Sequence, residues 1–258
     1  MNLLIALRPG LPILIGAALM LSVSMGLRQS LGVFMPALTQ DIGISVSQFT
    51  LAIAVQNLAW GFLQPFAGAL VVRIGYRPLM MTGAVLYILG MTLLCLAQGL
   101  MGVILGAGVA IGAAMACNGS AIAMAVASRP VSPALRSTVL GIVSAAGSLG
   151  ALMAAPIGQL LSQEYGWRVG VGGFVVMALI ILPAAWYAGR VDALPAPPSP
   201  VGEKDNAPDM ARFALKHPPF AVMTLAYFVC GMQLVFLTTH LPSYLDLCGM
   251  DPMLSAQA

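Results

Sequence analysis

Hydrophobic residues in this chain form seven long runs that polar and charged residues interrupt only briefly. Each run holds about 20 residues or more, which lets an α-helix cross the ~30 Å of hydrocarbon in a bilayer. The pattern places membrane spans at 11–38, 47–72, 78–97, 100–127, 137–162, 169–189 and 218–240. The chain is therefore predicted to be an all-α, polytopic transmembrane helical bundle.

Composition agrees with this prediction and excludes a soluble domain. Hydrophobic residues make up 60% of the 258 residues and charged residues 7%, against about 25% charged residues in soluble domains. The expected surrounding is a lipid bilayer, and no nucleic-acid partner is expected. The four cysteines, at 95, 117, 230 and 248, lack the spacing of metal ligands, so we expect no metal and no cofactor.

Basic residues between the spans fall almost entirely on one side of the membrane. That side carries Arg8, Arg73, Arg77, Arg129, Arg136, Arg190, Lys204, Arg212 and Lys216, and the other carries Arg168. Basic loops stay in the cytoplasm by the positive-inside rule. We therefore expect a multi-pass protein of the cell inner membrane with a cytoplasmic N-terminus.

The connection over 190–217 differs from the other loops because it is long, proline-rich and charged, which is typical of a linker. It divides the chain into a six-helix bundle over 1–189, a cytoplasmic linker over 190–217, and a seventh helix with an extracytoplasmic loop over 218–258. This layout predicts an N-terminal half plus one helix of a twelve-helix, two-bundle transporter. The missing C-terminal bundle is expected in the same chain or by assembly.

Arg28 is the candidate binding residue because it places a permanent charge deep in the first span. It lies about 25 Å from the start of that span, close to the bilayer midplane. An arginine there costs ~2.5–3.5 kcal/mol on insertion scales and usually faces a bundle interior or a wet cavity. The alternative is a structural arginine that binds backbone carbonyls.

Polar amides in the second span form the rest of the candidate site. Asn57, Trp60 and Gln64 share one helical face by their spacing, and Gln56 lies beside them. They could bind a polar or anionic solute next to Arg28, or they could link helices. Asn118 in the fourth span is a further candidate for substrate binding.

Two other features bear on mechanism. Small residues recur through the fourth and fifth spans, a pattern that lets helix backbones approach closely and rock against one another, or simply pack tightly.

None of the eight acidic residues lies well inside a span. A proton relay through membrane carboxylates is therefore not expected here, and the cavity should be electropositive and favour anions.

With these residues assembled, the chain resembles the major facilitator superfamily, and within it the bacterial monocarboxylate-type and oxalate:formate-type branch. Residues 68–78 read GALVVRIGYRP, similar to the superfamily's signature loop between helices two and three. The resemblance assigns that conformational loop to Gly68, Arg73, Gly75 and Arg77. Residues 166–168, the run from Arg28 to Leu38 and the stretch at 239–245 are also similar to this branch.

Departures from the family pattern narrow the expected function. Val72 stands where the signature loop usually has an aspartate, and Gly102 where many proton-coupled members have an arginine. Ala155-Pro156 replaces the Gly-Pro of antiporters. These differences weigh against drug antiport and sugar symport, although a carrier of another solute or a non-transporting half stays an alternative.

Other functional classes fit less well. Ser120 and His240 would be the nucleophile and base of an intramembrane serine protease, but His240 lies near the outer surface with no carboxylate to orient it. A seven-helix photoreceptor would need a lysine in the seventh span, which has none. We therefore expect no enzyme, but a secondary transporter of a small mono- or dicarboxylate that works by alternating access, with proton symport and anion exchange both open.

Overall fold

The computed structural model describes residues 10–195 and 216–250, which form a helical bundle. Over these ranges there are seven helices long and apolar enough to cross a membrane. They are α1 (Leu11–Ile42), α2 (Val46–Ile74), α3 (Tyr76–Cys95), α4 (Leu100–Ser128), α5 (Pro133–Tyr165), α6 (Trp167–Ala193) and α7 (Pro218–Leu247). The predicted class and all seven predicted spans are confirmed.

Several helices extend past the predicted limits because local chemistry, not hydropathy, decides where a helix ends. Ser45 starts α2 with a capping box, in which its hydroxyl accepts from the N–H of Gln48 and the Gln48 side chain accepts from the N–H of Ser45. Gly75 (φ 86°) and Gly166 (φ 88°) make single-residue turns between α2 and α3 and between α5 and α6. Only glycine adopts this backbone conformation without strain.

The helix α1 is central and irregular. It is α-helical to Gln29, tightens to a 3-10 turn over Ser30–Phe34, and becomes α-helical again from Met35. Pro36 explains the break, since its ring removes the N–H that would bond Gly32 and crowds that carbonyl. The irregular turn begins two residues after the candidate Arg28.

Small residues let α1 approach its neighbours at backbone distance, as the sequence predicts for the fifth helix. A Cβ on Gly26 would lie 2.5 Å from the carbonyl of Gly150 in α5. On the same helix, a Cβ on Gly16 would lie 2.6 Å from the carbonyl oxygen of Ala184 in α6. The fully buried Tyr87 of α3 donates to the carbonyl of Ser24 at 2.8 Å.

A polar cluster joins three helices at the end of the bundle opposite the basic loops. Asp41 of α1 forms an ion pair with Arg168 of α6 (3.3 Å) and accepts from the Trp167 indole at 3.0 Å. Arg168 also donates to the carbonyl of Cys95 in α3 at 2.9 Å. This end of α1 is therefore fixed to α3 and α6.

Among the described residues, the helix α7 contacts the six-helix bundle near its C-terminal end. Its side chains from Pro218 to Leu234 are exposed, and burial begins at Val235. From there it packs on the 3-10 turn and last segment of α1, with Thr239 buried. The first six helices pack together, whereas α7 lies at their edge.

Replacing Gly26 by Ala should destabilise the bundle, because the new methyl group has no space against Gly150. We expect a loss of about 1–3 kcal/mol in the free energy of unfolding, as for other overpacked sites. Thermal unfolding in detergent measures it. Gly141→Ala is the matched control on α5, since a Cβ there meets nothing within 4 Å; equal stabilities of the two variants would contradict the proposed backbone contact.

Candidate functional site

Arg28 lies in the last turn of the first α-helical segment of α1 and is buried, with 7% of its surface exposed. Its Nη2 donates to the Asn57 side-chain oxygen at 2.5 Å, and its guanidinium carbon lies 5.0 Å from the centre of the Trp60 ring. Its Nε is buried and has no partner among the described residues. Because no carboxylate in residues 10–195 or 216–250 pairs with it, the charge has no internal counter-ion there.

Asn57 is held so that its oxygen faces Arg28. The amide nitrogen of Asn57 donates to the carbonyl of Ile53 one turn earlier, at 2.7 Å. The remaining acceptor then points at the guanidinium. A neutral dipole and an aromatic face together stabilise the cation without neutralising it.

The two glutamines of α2 link helices, which is the alternative that the sequence leaves open. Gln56 donates to the carbonyl of Ala107 in α4 at 2.6 Å. Gln64 donates to the carbonyl of Ala116 in α4 at 3.2 Å and accepts from the Trp60 indole at 2.9 Å. Of the two, Gln56 also lines the cavity beside Arg28, whereas Gln64 reaches the site only through Trp60.

Asn118 lies against α3, outside the Arg28 cavity. With its amide oriented by its hydrogen bonds, the nitrogen donates to the carbonyls of Met80 (3.0 Å) and Cys117 (3.1 Å), and the oxygen accepts from the N–H of Ala84 (2.9 Å). These bonds satisfy the buried amide within the protein. A binding role for Asn118 stays a prediction, and this geometry describes a helix-linking residue.

A small cavity adjoins Arg28 and is lined on one side by α7. Its walls include Arg28, Gly32 and Gln56, and Thr238 and Thr239 from α7. About 10 Å³ is open to the centre of a water-sized sphere, which is room for roughly one water. The sequence analysis assigned no binding role to the two threonines. Two adjacent polar residues within an apolar helix were the signal that could have identified them.

Gly32 is the point where α1 and α7 meet. A Cβ at this position would collide with the carbonyl oxygen of Thr238. The absence of a side chain thus brings the α7 backbone directly over the cavity, one turn from Arg28. In this arrangement α7 forms one wall of the cavity.

The predicted signature loop forms the turn between α2 and α3. Gly68 and Arg73 are exposed on the last turns of α2, and Gly75 makes the turn itself. Arg77 lies on the Trp186 ring of α6, with its guanidinium carbon 4.7 Å from the ring centre. These four residues lie at the basic end of the bundle, remote from the Arg28 cavity lining.

Asp192 stabilises this turn, and the sequence analysis did not identify it as a structural or functional residue. Its two carboxylate oxygens accept from the backbone N–H groups of Tyr76 and Arg77, each at 2.8 Å, so it caps the N-terminus of α3 from another helix. Asp192 falls inside the predicted linker, but α6 continues there as a 3-10 turn over Gly189–Ala193. The remainder of the linker, from 196 to 215, lies outside the described residues.

No group of three or more His, Cys, Asp or Glu side chains in the described part of the chain could hold a metal ion. The chemistry available at the site is therefore that of a fixed cation, neutral amides, an indole and hydroxyl groups. Such a set can bind and orient an anion.

A bundle of seven membrane-length helices, with a cationic pocket between them, has the architecture of a multi-pass membrane transporter. The family model of the Major Facilitator Superfamily matches residues 16–258, and the chain belongs to this superfamily. This confirms the family that the loop at 68–78 indicated.

Curated relatives narrow the resemblance within the superfamily. Monocarboxylate transporter 4 of Gallus gallus is 26% identical over 242 residues, which cover 91% of this chain and 50% of the relative. Monocarboxylate transporter 11 of Homo sapiens is 33% identical over 164 residues, covering 62% and 33%. Monocarboxylate transporter 3 of Mus musculus is 30% identical over 159 residues, covering 61% and 31%.

The chain spans half or less of the length of these three relatives. Their names support the monocarboxylate resemblance. Since all three are vertebrate proteins, the bacterial and oxalate:formate branch stays a prediction.

Replacing Asp192 by Ala should loosen the turn between α2 and α3, because two N–H groups of α3 lose their acceptor. We expect a loss of about 1–2 kcal/mol in the free energy of unfolding, the usual effect of removing a cap. Amide hydrogen exchange at Tyr76 and Arg77 measures this loss of stability locally, and the exchange rate should rise in the variant. Glu164→Gln on exposed α5 is the control; unchanged protection in the Asp192 variant would exclude the capping role.

Proposed function

We propose that this chain forms the substrate-binding bundle of a secondary transporter for small organic anions, and that monocarboxylates are the preferred class. The observation that carries the proposal is the buried guanidinium of Arg28, whose only polar side-chain partner in the described structure is the neutral Asn57. Guanidinium stays protonated at any physiological pH. A substrate carboxylate would supply the counter-ion that the described residues do not provide.

Charge favours an anion over the alternative solutes. An isolated buried charge is costly, and pairing with a hydrogen-bonded partner of opposite sign offsets that cost. An uncharged sugar or a cationic drug would leave Arg28 unpaired. The monocarboxylate names of the relatives support the same choice.

Alternating access would open the Arg28 cavity to one side of the membrane at a time. In the present arrangement α7 covers the cavity through Gly32 and Thr238, so substrate entry requires α7 to separate from α1 and α2. We propose that a second helical bundle, in the same polypeptide or by assembly, completes the cavity. By the positive-inside rule, the basic end of the bundle would face the cytoplasmic side of the inner membrane. This end carries Arg73, Arg77, Arg129 and Arg136.

Coupling must use groups other than Arg28, because this residue does not titrate. Proton symport would need a titrating residue elsewhere in the transporter, and anion exchange would need none. Both schemes use the same binding step at Arg28.

Replacing Arg28 by Ala in the full-length polypeptide should abolish uptake of radiolabelled acetate, propionate, pyruvate and lactate into cells. The charge and its hydrogen bonds are both lost, so a drop of at least about 100-fold is expected, in line with ~3 kcal/mol or more for a buried charge partner. Arg136→Ala, at an exposed position on α5, should transport normally. Unchanged uptake by an expressed Arg28→Ala protein would rule out the assigned role.

Asn57→Asp tests the charge argument without removing Arg28. The new carboxylate would lie within hydrogen-bond distance of the guanidinium, where Asn57 accepts now. It would act as an internal counter-ion and compete with the substrate, so uptake should fall while membrane expression is retained. Asn57→Ser, which adds no charge, should lose less; if the aspartate variant transports better than the serine variant, the counter-ion model is wrong.

A further inference from the structure

Thr239 is a buried threonine whose hydroxyl is unused. Six other threonines, at 39, 50, 82, 92, 224 and 238, donate to the carbonyl four residues earlier on their own helix. Thr239 makes no such bond and contacts no other hydrogen-bond partner among the described residues, although only 6% of its surface is exposed. Thr138 also lacks a bond, but it is exposed to the surroundings.

The residue is buried, but its hydroxyl oxygen is not among the sealed polar atoms without a partner in the described structure, so it can still bond to a group in the space beside it. For Thr239 the equivalent acceptor, four residues earlier on α7, would be the carbonyl of Val235. Thr239 instead lines the cavity that contains Arg28. Arg28, whose Nε has no partner among the described residues, and Thr239, whose hydroxyl is unbonded, therefore line the same small space.

Gly32 explains how a residue of α7 reaches this space. With no side chain at Gly32, the α7 backbone at Thr238 lies directly against α1. A larger residue at 32 would hold α7 away and withdraw Thr239 from the cavity. The close approach thus places Thr239 in the wall of the cavity that Arg28 also lines.

We propose that Thr239 is a second substrate-binding residue, whose hydroxyl donates to one oxygen of the carboxylate while Arg28 binds the other. This assignment rests on the proposed function. A carboxylate offers two oxygens and about four acceptor positions, so it satisfies both donors at once. The ligand class is a small carboxylate whose charged end lies between α1 and α7.

The arrangement links binding to closure. Arg28 belongs to the six-helix bundle and Thr239 to α7, so a carboxylate that binds both residues favours the conformation in which the two helices are together. A ligand shifts a conformational equilibrium only through contacts that differ between the two states. The space now has room for roughly one water, so a bound carboxylate would widen it slightly. The Thr239 contact is lost when α7 separates from α1, and substrate therefore stabilises the state in which the two helices are together.

The test is binding of propionate to the purified full-length protein in nanodiscs, measured by calorimetry. Thr239→Val keeps the shape and removes the hydroxyl, so Kd should rise about tenfold, as expected for one hydrogen bond to a charged group. Thr239→Ser should restore Kd to within about twofold of the wild type. Thr224→Val is the control on the same helix, because the Thr224 hydroxyl is exposed and already bonded to Phe220; its Kd should not change.

The outcomes separate this assignment from the proposed function. Wild-type affinity in Thr239→Val, with binding still lost in Arg28→Ala, would overturn the role of Thr239 and leave the anion site intact. Equal weakening in the Val and Ser variants would show that packing rather than the hydroxyl matters, and would also overturn it. Failure of the wild-type protein to bind propionate, acetate, pyruvate or lactate would reject both. Thermal unfolding of each variant confirms that it is folded.

Discussion

The burial of one permanent positive charge governs the arrangement around α1. Arg28 cannot release its proton, so its surroundings must accommodate the charge. The amide oxygen of Asn57 and the ring of Trp60 provide partial compensation, and no described carboxylate completes it. The protein thereby keeps a site that an anion stabilises.

Glycines on both sides of Arg28 make this arrangement possible. Gly26, two residues before it, lets α5 approach α1, and Gly32, four residues after it, lets α7 approach α1. Between them the helix changes from α to 3-10 geometry because of Pro36. The segment of α1 that carries the cationic side chain is thus held by close backbone contacts with α5 before Arg28 and with α7 after it. Such packing leaves little volume for water and strengthens every polar interaction inside.

Features that depend on a single helix could be predicted from the sequence. Length and hydropathy predicted the seven spans, and helical spacing placed Asn57 and Trp60 on one face, where they contact Arg28. Which helix faces which could not be predicted, because pairing across 50 or more residues leaves no periodic signal. For this reason the sequence left open whether the glutamines of α2 bind a ligand or link helices; in the structure both bond to carbonyls of α4, and Gln56 also lines the cavity.

Asp192 and Thr239 were missed for the same physical reason. Asp192 stands in a stretch whose composition indicates a linker, and only the return of α6 to the start of α3 gives it two N–H partners. Thr239 looks like any threonine of a membrane helix until its neighbours show that its hydroxyl is unbonded. Asn118 shows the opposite case, because this polar residue within a span is satisfied by the backbone of α3 and of its own helix.

The described contacts of α7 with the bundle lie near Thr238, and this position has a mechanical consequence. The helix is fastened near Thr238, and its start at Pro218 lies about 30 Å away at ~1.5 Å per residue. A rotation of about 10° around the fastened end would therefore move Pro218 by about 5 Å, the rise of roughly one helical turn. A displacement of a few tenths of an ångström at the Gly32 contact corresponds to a much larger excursion at the far end. A small movement of α7 beside the Arg28 cavity is therefore amplified at the far end of the helix.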